Sequence, residues 1–312
     1  MNNLILKVLK FNYKQYLLSY KCLLIFSFVI CLVLLFSFSF ENKLFKNETK
    51  KIIFTFWEPH KNIPGYLHLC IKTWKKFLPE YEIKILDYNS VRDFLGDRLF
   101  ETIICKDMSL QMQSDAIRVA ILKKYGGIWM DADTIIINKN FFKELENYDL
   151  VMIGEEKFKT QHIGFIAASI HSSILNDWLN KIINKVNYFR QIDDDSIKSM
   201  INNQWDYLGN QIIDSLARDF TNGKFFRLDK YKINAFPELN FFGNSFLNPN
   251  EKYKKFYFRK GDPDFVFKNS KGIILLHNSW TPSKYRSMTE KEFLKQEILL
   301  SQLFSKILNS NN

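Results

Sequence analysis

Asp131 and Asp133 stand two residues apart in Ile128-Trp-Met-Asp-Ala-Asp-Thr-Ile-Ile-Ile137, with apolar residues on both sides. Residues i and i+2 of a regular strand share one face, so the two carboxylates are expected together at a strand's end. Carboxylates inside an apolar run are costly to bury unless they are paired or metal-bound. Hard cations such as Mg²⁺ or Mn²⁺ take carboxylate oxygen, and a cation held there could in turn hold a diphosphate. A strand-end turn without a metal is the plain alternative. Two further D-x-D spacings, Asp193–Asp195 and Asp262–Asp264, lie among polar and turn residues and read as solvated loops.

Other residues could serve the same chemistry. Asp115 and Arg118 are three apart, on one helix face, where a surface ion pair is the ordinary outcome. His277 could be a further Mn²⁺ ligand or a structural hydrogen-bonder. Trp57 could stack on a nucleobase or fill the core. Trp280 could cap a site from a mobile loop or simply anchor that loop.

These residues need a frame to bring them together. Lys51–Trp57 reads as a buried strand, Tyr66–Phe77 as an amphipathic helix and Tyr81–Asp87 as a second strand. A helix over Leu110–Lys124 is stopped by Gly126-Gly127 and feeds a central strand over Ile128–Ile137. Leu150–Gly154, Gly164–Ser169 and Gly272–His277 read as strands, and Ser172–Tyr188 and Tyr207–Phe220 as helices. Strands alternating with helices predict an α/β fold with a parallel core. Ligands of such sheets bind beyond the carboxyl ends of strands, where Trp57, Asp131, Asp133 and His277 all fall.

Ser114-Asp115-x-x-Arg118, Leu122 and Tyr125-Gly-Gly-Ile-x-x-Asp131-x-Asp133 resemble the signature of DXD-type glycosyltransferases, nearest the capsular polysaccharide synthesis and Och1-like mannosyltransferase (family 32-like) groups. Lys51-Ile-Ile-Phe-Thr-Phe-Trp57, Cys70-Ile-Lys-Thr-Trp74 with Pro79-x-Tyr81, and His277-Asn-Ser-Trp280 resemble the flanking elements in the same order, over about residues 51 to 281. The resemblance implies a GT-A-like (Rossmann-like) fold with a mixed, mainly parallel sheet. It implies transfer of a sugar from a UDP- or GDP-sugar to a glycan or glycolipid acceptor, with retention of configuration and with Mn²⁺ or Mg²⁺ as cofactor. Asp133 would bind the metal directly, and Asp131 the metal or the donor's ribose and sugar. Arg118 would lie by the donor sugar or phosphate, and Asp115 by the nucleoside or sugar; Trp57, Gly127 and Trp280 would complete the donor site. Asp206-Tyr-Leu-Gly209-Asn210 lies where relatives often carry Thr-Gly-Pro, and only Gly209 matches.

The chain has 312 residues and a net charge of +11. Eight lysines against two glutamates in residues 1–51 supply more than half of that excess, beside an apolar segment. That placement suits anionic lipid better than nucleic acid, for which no motif appears. The nineteen residues 22–40 are apolar with only serines interrupting, long enough for one transmembrane helix. Lysines flank the span evenly, so its orientation stays open. The expected organisation is a basic segment (1–21), an anchor (22–40), a linker (41–50), a catalytic domain (51–288) and a C-terminal amphipathic helix (289–312). That helix opens on Thr289-x-x-Glu292 and buries Phe293, Leu300, Leu303, Phe304 and Ile307. Lys252–Lys260, basic and aromatic, reads as an exposed strand or loop, or as a membrane or acceptor contact. The four cysteines form no metal or disulfide pattern. Two rival functions remain. Ile128-Trp-Met-Asp131-Ala-Asp133-Thr134 also fits the first motif of haloacid-dehalogenase-type phosphatases, with Asp131 as nucleophile. A non-catalytic, membrane-tethered sugar-binding protein is the other.

Overall fold

The computed structural model describes residues 51–143, 145, 148–155, 160–219, 225–241 and 247–310. The chain divides by packing into Met1–Asn47 and Glu48–Asn312, and every described residue belongs to the second unit. Among the described residues no helix is long and apolar enough to cross a membrane; the expected anchor at 22–40 lies outside them.

A six-stranded sheet runs in the order β2-β1-β3-β6-β5-β7, from β1 (Ile52–Phe56), β2 (Glu82–Leu86), β3 (Gly127–Met130), β5 (Leu150–Glu155), β6 (Thr160–Ala168) and β7 (Phe225–Asp229). β1 pairs parallel with both β2 and β3, and β5 with β7, while β6 runs antiparallel to β3 and β5. Five strands therefore point one way and only β6 is reversed, which makes the sheet mixed and mainly parallel. The strands alternate between two cores: Ile53, Ile128, Met130 and Phe165 enter one, and Phe54, Trp129 and Ile166 the other. Burial on both faces explains why the inner strands β1, β3 and β5 read as apolar runs.

Helices cover both faces. α1 (Gly65–Phe77) packs Leu67, Cys70, Ile71 and Trp74 into the first core. α2 (Leu110–Tyr125) and α3 (Ser173–Arg190) lie over the second. Ser109 caps the start of α2 through the Met112 N–H, and Gly126, at φ +65°, ends it.

Three sequence expectations need correction. The strand predicted over Ile128–Ile137 is two strands in two sheets. β3 stops at Met130, the chain turns through Asp131-Ala132-Asp133, and β4 (Thr134–Ile136) pairs antiparallel with β8 (Ile273–Leu275). A buried sheet offers no partners to two carboxylates, so the ladder breaks where they occur. β4 is held instead by α1, whose Trp74 Nε1 donates to the Thr134 carbonyl at 2.6 Å and whose Thr73 hydroxyl accepts from Ile136 N–H at 3.0 Å. The segment expected as a strand or loop at 252–260 lies mostly in a helix, Pro249–Tyr257, capped by Asn248 and burying Tyr253, Phe256 and Tyr257. The C-terminal helix is two, Glu290–Leu294 behind a Thr289–Glu292 capping box and Leu299–Asn309. The turn between them lets Phe293 join Leu300, Leu303, Phe304 and Ile307 in the first core.

Candidate functional site

The carboxyl ends of β1, β3 and β5 share one edge of the sheet, and reversed β6 enters from that edge. The first residues of β6 therefore lie beside the turn that follows β3. Asp131 N–H donates to the Gly164 carbonyl at 2.8 Å, and Thr134 N–H to the Asp131 carbonyl at 3.0 Å, which fixes the turn.

Arg118 ties α2 to that turn. Its guanidinium lies 3.1 Å from Asp115 Oδ1 and 3.4 Å from Asp131 Oδ1, and donates to the Ile163 carbonyl at 2.5 Å. Trp129 Nε1 donates to the same Asp131 oxygen at 2.9 Å, and the guanidinium stands 5.2 Å from the Trp129 ring. Asp115 and Arg118 are only 4% and 5% exposed, which rules out the surface ion pair. Asp133 is held from the other side: the Asn278 N–H donates to its Oδ2 at 2.8 Å, and the Asn278 side-chain oxygen accepts from Tyr66 at 2.6 Å.

Burial raises the carboxyl of Asp133 to about 7, and the charge of Asp131 adds to the shift against the Asn278 N–H. Burial raises Asp115 to about 7 as well; Arg118 opposes that shift, and Asp131 and Asp206 reinforce it. Burial pushes the His162 imidazole down to about 4 although Asp131 pulls the other way. Carboxylates this close resist ionising together, and a cation relieves that cost. Close approaches shape the space around them. A Cβ on Gly164 would sit 2.9 Å from Asp131 Oδ2 and 2.7 Å from His162 Cε1; one on Gly209 would sit 2.5 Å from Asp115 Oδ2. Two carboxylates on one turn are a donor set that suits a hard divalent cation, which prefers carboxylate oxygen. Among the described residues no three His, Cys, Asp or Glu side chains form a ready metal group.

Trp57 follows β1 on this edge, half-buried, with its N–H on the Leu86 carbonyl at 2.9 Å. His277 and Trp280 stack with ring centroids 3.8 Å apart, and Phe236 and Tyr253 flank the imidazole. His277 Nε2 lies 3.4 Å from Oε1 of Glu238, a fully buried carboxylate that also accepts from Tyr257 at 3.3 Å. Gly127 is not brought to the others: it opens β3 at φ +97°, about 13 Å of strand away from Asp131. Sequence reasoning missed His162, Glu238 and Tyr66, which sit in no recognisable motif. The alternation of β6 was the one available signal for His162, since it places His162 opposite Ile163, a second-core residue. Gly209, the remnant of a turn motif, proves to be the close neighbour of Asp115.

The family profile described as capsular polysaccharide synthesis protein matches residues 34–206. No curated protein matches the sequence significantly. Among solved structures, a glycosyltransferase involved in glycosylation of the major capsid of PBCV-1 is 13% identical, over 60% of this chain and 87% of its own, at a TM-score of 0.34. The PaToxG glycosyltransferase is 16% identical, over 84% of this chain and 86% of its own, at 0.37. Likenesses this slight carry no inference about activity.

Proposed function

The chain belongs to the capsular polysaccharide synthesis protein family and is a glycosyltransferase of that group, and from that premise we propose that the rim around Asp131 and Asp133, in a GT-A-like fold, moves a sugar from a UDP- or GDP-sugar to a glycan or glycolipid acceptor. The observation that carries this reading is the Asp131-Ala132-Asp133 turn beyond β3, locked to Arg118. Mn²⁺ or Mg²⁺ held by the two carboxylates would supply Lewis-acid neutralisation of the departing diphosphate.

The chain's own residues do the rest. Asp133 keeps its orientation through the Asn278 N–H. Arg118, fixed on three sides, presents a positive fork to donor oxygens without paying to order it. Asp115, with a carboxyl near 7, can donate or accept toward a sugar or ribose hydroxyl. Trp57 offers a ring to the base, and Trp280 covers the rim beside His277. With its Nε2 against Glu238, His277 serves this reading as an orienting residue rather than a third ligand. Gly127 serves it as a turn residue. Retention of configuration and a membrane anchor at 22–40 belong to the same proposal. The family assignment stands against the phosphatase alternative.

Mn²⁺ titration of the full-length protein in the presence of UDP or GDP tests the reading. Asp133→Asn should weaken Mn²⁺ binding about tenfold or more, worth about 1.4 kcal/mol, while thermal stability holds. Unchanged Mn²⁺ affinity in that variant would remove Asp133 from the metal site.

A further inference from the structure

His162 stands on β6 immediately before Ile163, whose carbonyl takes the Arg118 guanidinium. The Gly164 N–H donates to its Nδ1 at 3.2 Å. A ring nitrogen that accepts a hydrogen bond carries no proton, so the proton of this imidazole lies on Nε2. Phe236 crosses the ring with centroids 5.0 Å apart and sets its tilt. Nε2 makes no hydrogen bond to any described residue, and it is not among the buried polar atoms left without a partner. It is therefore an N–H donor with no partner among the described residues, on a side chain that is only partly exposed. His162 borders the candidate site, because its Cε1 and Asp131 Oδ2 both crowd the place a Gly164 Cβ would take.

Charge tells which oxygen such a donor suits. The diphosphate's anionic oxygens are served by a cation and by Arg118. With those oxygens taken, the N–H beside Asp131 is left for the uncharged part of the donor, the sugar, whose hydroxyls accept hydrogen bonds. Resting on the reading of this rim as a nucleotide-sugar site, we infer that His162 is a donor-contacting residue whose Nε2–H binds a hydroxyl of the transferred sugar and helps select which sugar is used. A site built to bond one hydroxyl discriminates against analogues that lack it, because its polar group is then left unpaired.

Equilibrium binding to the full-length protein with Mn²⁺ tests this, with UDP, GDP, UDP-glucose, UDP-galactose and GDP-mannose as probes. The wild-type protein should bind one sugar nucleotide more tightly than its parent diphosphate. His162→Phe keeps the ring against Phe236 but removes the N–H. It should weaken that sugar nucleotide roughly three- to tenfold and leave the diphosphate unchanged. His162→Gln restores a side-chain N–H and should recover part of the loss. His162→Ala asks the same question if the phenylalanine variant fails to fold, as judged by thermal melting. Unchanged sugar-nucleotide affinity in a folded variant would overturn the inference, and so would equal losses for sugar nucleotide and diphosphate. A wild-type protein that favours no sugar nucleotide over its diphosphate would overturn it too. Failure of the wild-type protein to bind any of the five would instead overturn the reading of the rim, and this inference with it.

Discussion

Asp131 and Asp133 differ in environment although one residue separates them. Asp131 lies against a buried guanidinium, whereas Asp133 is held chiefly by the Asn278 N–H dipole, with His277 adding to it. The carboxyl of Asp115 is pushed from 3.8 to about 7 chiefly by burial. Between about pH 4 and about pH 7 the folded chain thus keeps a proton there that the unfolded chain has released. Its contribution to stability is present in full below that window and is lost as the pH rises through it. Without metal, the thermal midpoint should fall by several degrees from about pH 5 to about pH 8, and Asp115→Asn should flatten that slope. Equal slopes in the two proteins would place the responsible group elsewhere. The types of these residues were legible in the sequence, since apolar flanks marked out one D-x-D among three. Their partners were not. The oxygen of Asp133 is held by a backbone N–H from Asn278, 145 positions away, and no side-chain pattern records a backbone contact at that range.

Elements were legible wherever an apolar run or a helical period decided them, and their ends where Gly126-Gly127 or the Thr289-x-x-Glu292 box marked one. The break inside Ile128–Ile137 was hidden, because an apolar run looks the same in one sheet or two. What divides it is tertiary: β4 finds β8 and two side chains of α1, and leaves β3 to the main sheet. Helix α1 is therefore a support of the site as well as of the core. Trp74→Phe removes the hydrogen bond to the buried Thr134 carbonyl and should cost about 1–3 kcal/mol, read by denaturant unfolding. It should also lower turnover more than it changes the binding of nucleoside diphosphate, since the turn before β4 carries Asp133. Wild-type stability in this variant would mean that β8 alone holds β4 in place.

On the scale of the whole molecule, a mixed six-stranded sheet and the separate β4–β8 pair together supply residues from 57 to 280 to the site, and the mainly parallel order of the large sheet was predictable from alternating strands and helices. Reversed β6 was not. It brings Ile163, Gly164 and His162 to the same edge, and that chirality of entry depends on pairing rather than composition. The charge excess of residues 1–51 and the apolar run 22–40 lead to a separate expectation. The full chain should stay with membranes through an alkaline carbonate wash, and residues 48–312 should be released without detergent. Release of the full chain by carbonate would contradict the anchor.

The central claim is that the Asp131–Asp133 turn works with a divalent cation on a nucleotide sugar. Slow donor hydrolysis by the full-length protein, across UDP- and GDP-sugars with Mn²⁺, with Mg²⁺ and with EDTA, tests it most directly. The account predicts that one donor is hydrolysed, that EDTA abolishes the reaction, and that Asp133→Asn lowers it by roughly a thousandfold. Hydrolysis that survives both EDTA and Asp133→Asn would contradict it.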